Sequence, residues 1–312
     1  MAMVPHAGIV PSPCLPACAA PGPIGASCLL QWRRRMLALG GSSASLDWLL
    51  DLRGGLGWSR LQALWSHPES EVSLLCPLDA LEALWRRHLD THEPLQYLVG
   101  RCPWRDLELP VGPGVLIPRQ ETELLVDLAL SLLPLDRPSP TWADLGTGSG
   151  CLAIALARSL PASRGFALDA SPEALAQAGA NLALWGLERR VSLVAGDWWQ
   201  GLEPHWGQLD LVVANPPYIP TATLAELDPV VRDHEPRLAL DGGPDGLAAI
   251  RVLLDGARRG LAPGGLLLVE HHHDQSAAVS RLLHAAGLEG LGVHADLEGR
   301  ARFASAWRPI DR

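Results

Sequence analysis

The stretch Trp142-Ala143-Asp144-Leu145-Gly146-Thr147-Gly148-Ser149-Gly150-Cys151 decides the fold. A short apolar run enters a turn holding three glycines, and a helical run follows over Cys151 to Leu160. Strand, glycine turn and helix in that order open a doubly wound α/β sheet, where such turns hold nucleotides. Glycines at 146, 148 and 150 let the backbone turn sharply and approach a ligand closely. The dinucleotide fingerprint G-x-G-x-x-G is not met, because the third glycine comes one residue early and Cys151 takes its place. That spacing disfavours NAD, and the missing P-loop lysine disfavours a phosphate site.

Downstream the chain keeps alternating strand and helix, which predicts a parallel sheet. Phe166-Ala167-Leu168-Asp169 reads as the second strand, and Ser171-Pro172-Glu173 opens a helix with a cap, an N1 proline and an acid. Val191 to Val194 is the third strand and Leu209 to Ala214 the fourth. A helix is predicted over about 245–260, and Pro263-Gly264-Gly265 turns into a fifth strand, Leu266 to Glu270. A helix near 275–286 and strands near 290–295 and 302–307 complete the chain. Asp169 ends the second strand, where a carboxylate can accept both hydroxyls of a ribose. Asp197 and Trp198 follow the third, suited to an adenine amino group and to the face of its ring. Taken singly, either acid is an ordinary turn residue; three strand ends together fit one nucleoside.

The fourth strand runs into Asn215-Pro216-Pro217-Tyr218. Neither proline can donate to a ladder, and the first restricts Asn215 to extended conformations. Asn215 is thus held at a strand's carboxyl edge, with its amide and the following carbonyls available to a ligand.

Bulk properties narrow the class. The 312 residues are 48% hydrophobic and 19% charged, which describes a globular chain. A net charge of −9 argues against broad phosphate-driven binding to nucleic acid. No apolar run reaches the roughly 18–20 residues a membrane span needs. Six cysteines without a C-x-x-C pair fit a reducing cytoplasm. His271, His272 and His273 are consecutive, so their side chains diverge and make a poor ligand set; no metal is expected.

Residues 1–27, rich in Pro, Ala, Gly and Cys, read as a disordered extension. Residues 28–92 show leucines and tryptophans at three- and four-residue spacings, a bundle of about four helices. Its basic spots, Arg33 to Arg35 and Arg86 to His88, read as solvated face. Residues 93–118, with alternating apolar positions broken by Gly and Pro, read as a β-hairpin linker. Pro118-Arg119-Gln120-Glu121-Thr122-Glu123 then leads into an amphipathic helix, whose first-turn acids suit the macrodipole. Pro134 to Pro140 is a loop, and residues 119–312 form the α/β domain.

The order and spacing of Glu93-Pro94 to Gly100, Val115 to Glu123, Asp144 to Gly150, Asn215 to Ile219, and Glu235 to Leu247 resemble the release-factor glutamine methyltransferases, the HemK/PrmC family of class I S-adenosylmethionine-dependent methyltransferases. The match spans about residues 29–308. The family has proline where this chain has Gln120, a departure beside the expected cofactor pocket. The resemblance implies a Rossmann-like, seven-stranded, mostly parallel sheet preceded by a helical substrate-recognition domain and a hairpin. It implies S-adenosylmethionine as methyl donor, held by Gly146, Thr147, Gly148, Ser149, Gly150, Asp169, Trp198 and Asn215. It also implies a protein substrate, the glutamine of the Gly-Gly-Gln motif in peptide chain release factors, gripped by Asn215, Pro216, Pro217 and Tyr218. The expected chain is a cytoplasmic monomer with no membrane or direct nucleic-acid partner. Two other readings share these motifs: an adenine N6-methyltransferase acting on nucleic acid, and a non-catalytic module that docks to the translation machinery.

Overall fold

The computed structural model describes residues 22–134 and 137–310. The chain divides into two compact units at Arg101. The expected extension over 1–27 lies outside the described residues as far as residue 21, as do residues 135 and 136 of the expected proline loop.

The first unit is helical. Strand β1 (Ile24–Gly25) leads into α1 (Ala26–Leu39), so ordered structure begins within the stretch assigned to the extension. Helices α2 (Ser43–Leu52) and α3 (Trp58–Ser66) follow, then β2 (Glu71–Val72), which pairs antiparallel with β1, and α4 (Leu78–Thr91). The periodic leucines form its core with Met36 and Trp85, whose indole Nε1 donates to the Met36 carbonyl at 3.1 Å. Arg33 departs from the solvated-face expectation: it forms a forked pair with Asp47 at 2.6 and 2.8 Å and is only 13% exposed. Within the stretch read as a hairpin, Leu95–Val99 is a helix, α5. Pro94 precedes it, and Gly100, at φ 76°, closes it with N–H bonds to Gln96 and Tyr97. Apolar alternation masked a helix too short to show a 3.6 period.

The second unit opens with the hairpin β3 (Arg101–Trp104) and β4 (Leu107–Pro110). Its turn is tied to α6 (Glu123–Leu132), because Glu123 accepts from the Arg105 backbone N–H at 2.9 Å. The main elements are then β5 (Thr141–Leu145), α7 (Cys151–Ser159), β6 (Arg164–Asp169), α8 (Pro172–Leu184), β7 (Val191–Ala195) and β8 (Leu209–Ala214). After the short α9 (Pro229–Arg232) come α10 (Ala248–Gly260), β9 (Leu261–Glu270), α11 (Ser276–Ala285), β10 (Glu289–Ala295) and β11 (Ala301–Trp307). Strand β9 starts earlier than the sequence predicts. Pro263-Gly264-Gly265 lies inside it, opposite a register shift between Leu209 and Leu211 of β8, instead of before it.

The seven strands lie in the order β10-β11-β9-β8-β5-β6-β7; β5 to β9 are parallel, and β10 and β11 antiparallel. Both faces are covered, which explains the nearly continuous apolar strands. Leu211, Val213, Leu266 and Leu268 point into one core, and Val212, Ala214, Leu267 and Val269 into the other. From β5 the chain winds first toward β7 and then returns to β8. The strand order therefore reverses between β5 and β8, and that switch point is where open α/β sheets bind ligands.

One packing detail places the loop after β7. Trp199 is buried against Gly256 and Gly260, one turn apart on α10, and its Nε1 donates to the Leu253 carbonyl at 3.0 Å. A Cβ at Gly256 would lie 2.3 Å from the indole. Alanine is the better helix former by about 1 kcal/mol, but over-packing against a pinned ring costs about 1–3 kcal/mol. Gly256→Ala is expected to lower the denaturant midpoint; a raised midpoint would show that helix propensity wins.

Candidate active site

The carboxyl ends of β5, β6, β7 and β8 surround a cavity of about 800 Å³. All the glycines of the β5–α7 turn have left-handed φ, with Gly146 at 79°, Gly148 at 55° and Gly150 at 81°. The turn is fixed from several sides. Gly146 and Thr147 donate N–H bonds to the Leu168 carbonyl, and the Thr147 hydroxyl donates to buried Asp144 at 2.6 Å. Asn181, fully buried on α8, donates its Nδ2 to the Ser149 and Pro110 carbonyls. Gly150 explains the early third glycine. A Cβ there would sit 3.3 Å from Ala178 Cα, so its absence lets α7 and α8 approach.

Asp169 orders the same turn, accepting from the Gly148 N–H with one oxygen and the Ser171 N–H with the other, both at 2.9 Å. Each oxygen keeps further acceptor capacity toward the cavity. Ser171 caps α8 as the sequence predicts. Asp197 and Trp198 also line the cavity, and Trp198 holds φ 53°, a strained value for a bulky residue. Its ring lies beside Gly146, 3.6 Å from where a Cβ would be. Cys151 lines the cavity but is buried, and burial pushes its thiol far up, so it is no thiolate nucleophile.

Asn215 and Pro217 line the cavity, whereas Pro216 and Tyr218 do not; Pro216 is buried and Tyr218 half-buried. The loop is clamped through its backbone. Gln275 Nε2 donates to the Tyr218 carbonyl at 3.0 Å, and Gly242 N–H donates to the Ile219 carbonyl at 2.8 Å. A Cβ at Gly246 would come within 2.2 Å of the Tyr218 oxygen. The side chain of Asn215 is oriented as firmly. Its Nδ2 donates to Thr122 Oγ1 at 2.9 Å, and that hydroxyl donates to Glu270 Oε2 at 2.7 Å. The other carboxylate oxygen of Glu270 is 3.5 Å from the Tyr218 hydroxyl. Beside this group, Glu235 accepts from Arg119 at 2.6 Å and from the Ile117 N–H at 3.2 Å, anchoring the segment before α6.

The structure thus brings eight of the nine sequence-predicted cofactor residues to one cavity, Gly146 to Ser149 with Asp169, Asp197, Trp198 and Asn215; the ninth, Gly150, packs on α8 instead. Thr122, Glu270 and Gln275 were not singled out from the sequence. The one available signal for Glu270 is an acid closing an apolar strand. Among the described residues no cluster of three His, Cys, Asp or Glu side chains could hold a metal, and no helix is long and apolar enough to cross a membrane.

Burial pushes Glu270 from 4.5 up to about 7, against the smaller opposing effects of Thr122, Arg302 and Tyr218. The native state therefore holds this proton more tightly than the unfolded chain. Stability from this site is present below about pH 4.5 and is lost as pH rises through about 7. Relative to Glu270→Gln, the wild type is expected to lose on the order of 3 kcal/mol across that window and then level off. Chemical denaturation at several pH values measures the difference; a flat difference would mean that Glu270 is not desolvated.

Residues 122–231 match the Methyltransferase small domain family. A release factor glutamine methyltransferase of Prochlorococcus marinus is 52% identical over 286 residues, covering 90% of this chain and 96% of the relative. One from Caulobacter vibrioides is 42% identical, covering 86% and 91%. A solved methyltransferase from Pyrococcus furiosus superposes with a TM-score of 0.50 at 18% identity, over 66% of this chain and 91% of that one, and shares the fold. With such identity over nearly the full length of its relatives, the chain belongs to the family of release factor glutamine methyltransferases.

Proposed function

We propose that the chain transfers a methyl group from S-adenosylmethionine to the side-chain amide nitrogen (N5) of the glutamine in the Gly-Gly-Gln motif of peptide chain release factors. The observation that carries this reading is the amide of Asn215, tied by its Nδ2 to Thr122 at the edge of a cavity suited to a nucleoside. The cavity fits the donor: two left-handed glycines, Gly146 and Gly148, bring backbone close to it, Trp198 offers an aromatic face, and Asp169 keeps acceptor capacity for ribose hydroxyls. Gly146, Thr147, Gly148, Ser149, Gly150, Asp169, Asp197, Trp198 and Asn215 form the donor site in this reading.

When bound, S-adenosylmethionine would supply an electrophilic sulfonium methyl, with a thioether as the leaving group. The acceptor is the harder half, because an amide lone pair is delocalised into its carbonyl. Asn215 Oδ1 and the Pro216 carbonyl accept the two N–H bonds of the target NH₂, which orients the nitrogen and favours the positive charge it gains as the N–C bond forms. Tyr218 packs on the amide plane. Its hydroxyl is pushed up by burial and by Glu270, so it stays protonated and is no general base. The surplus proton on nitrogen passes to solvent. The helical unit supplies protein-substrate recognition, and the chain works as a cytoplasmic monomer without nucleic acid.

Incubation with labelled donor and either release factor or DNA, followed by mass spectrometry, is expected to place the label on the motif glutamine. Label on adenine would establish the nucleic-acid reading instead. Asn215→Ala is expected to reduce turnover ~10²–10³-fold or more, with donor affinity changed only modestly; unchanged turnover would remove Asn215 from the clamp. In Asp169→Ala, calorimetric donor affinity is expected to fall ~10–100-fold, the loss of a charged hydrogen-bond acceptor. Equal affinity would place the ribose elsewhere.

A further inference from the structure

We infer that Thr122 and Glu270 are positioning residues that lock the polarity of the Asn215 amide, so that the site accepts an NH₂ group and rejects a carbonyl. The inference rests on the reading of Asn215 as the acceptor clamp. An asparagine amide is nearly symmetric in shape, and a half-turn exchanges its donor and acceptor ends. Oδ1 toward the cavity takes hydrogen bonds from a primary amide. With Nδ2 there, the same residue would repel that NH₂ and bind an oxygen. Something must therefore distinguish the two orientations.

Thr122 does so because a hydroxyl has one proton. Above about pH 7, where the Glu270 carboxylate is ionised and can only accept, that proton goes to its Oε2 at 2.7 Å. The Thr122 oxygen at 2.9 Å from Asn215 is then left as an acceptor, so Asn215 must present Nδ2 to it and Oδ1 away from it. The donors run in one direction, from Asn215 through Thr122 to Glu270.

Three observations argue against an incidental contact. Thr122 enters α6 in helical conformation, φ −61° and ψ −18°, where its hydroxyl makes no cap bond and is left to the relay. Thr122 and Glu270 are 3% and 1% exposed, so the relay is shielded from water that could substitute for either partner. Finally, the parallel register pairs Ala214 of β8 with Val269 of β9, which sets the next residues, Asn215 and Glu270, side by side at the sheet edge. Glu270 also faces Tyr218, with Arg302 and Glu121 nearby, so its second oxygen serves the same loop.

Thr122→Val keeps the shape and removes the hydroxyl, and Thr122→Ser keeps the hydroxyl. With release factor as substrate, kcat is expected to fall at least ~10-fold in the valine variant and to stay within about threefold of wild type in the serine variant. Calorimetric donor affinity should change only modestly in both. The sequence has two asparagines, Asn181 and Asn215, so [¹⁵N]asparagine labelling yields two side-chain NH₂ pairs. In the valine variant the Asn215 pair is expected to shift and to exchange faster with water. The Asn181 pair, held by the Pro110 and Ser149 carbonyls, stays in place and reports an intact fold. Should valine not fold, Thr122→Ala is read in the same way. An unmoved Asn215 pair with wild-type turnover, or a serine variant as impaired as valine, would overturn the inference. The resonance measurement needs no substrate, so it decides the relay even if the wild type leaves release factor unmethylated, which would sink the reading of function instead.

Discussion

The parallel pairing of β8 between β5 and β9 is the constraint on which the rest of the molecule depends. It places the end of the glycine strand and the end of the asparagine strand side by side, at the point where the strand order reverses. There the glycine turn and the Asn215 loop face the same cavity. The register is held by apolar side chains buried on both faces, and a slip of one residue would exchange the two faces. It would also separate Asn215 from Glu270, although neither residue belongs to the core. Positioning at the site is thus a consequence of packing well below it.

Polar groups then refine what packing has placed. Asp144, Glu235 and Glu270 are buried acids in a chain with net charge −9, and burial pushes both Asp144 and Glu270 up to about 7. Each is attached to a segment that must not move. Asp144 takes the Thr147 hydroxyl of the glycine turn, Glu235 takes Arg119 before α6, and Glu270 takes Thr122. Such groups cost stability compared with an apolar filling. What they provide is a single geometry for two segments that carry no regular structure, the glycine turn and the run before α6.

Much of this was legible in the sequence, for identifiable reasons. Leu209 to Ala214 is a buried parallel strand ended by Asn-Pro-Pro, and its observed bounds agree with the predicted ones. Asp169 and Trp198 could be placed because a strand end is a fixed position relative to its sheet. The helix α5 was hidden because five residues cannot display a helical period, and β9 looked shorter because a Pro-Gly-Gly bulge resembles a turn. Thr122 and Glu270 were hidden more deeply. They lie 148 residues apart, and Thr122 lies 93 residues from Asn215, so only the sheet register reveals the relay. In the sequence Thr122 is one residue of the run that leads into a helix and Glu270 the last residue of a strand, and both descriptions miss the atom that matters.

The central claim is that this site holds a primary amide by its nitrogen. A crystal structure of the chain with S-adenosylhomocysteine and a peptide carrying the Gly-Gly-Gln motif tests it most directly. The account predicts the glutamine NH₂ within hydrogen-bond distance of Asn215 Oδ1 and the Pro216 carbonyl, with Asn215 Nδ2 still on Thr122. A glutamine bound through its carbonyl oxygen to Asn215, or with its nitrogen turned away from this loop, would contradict it.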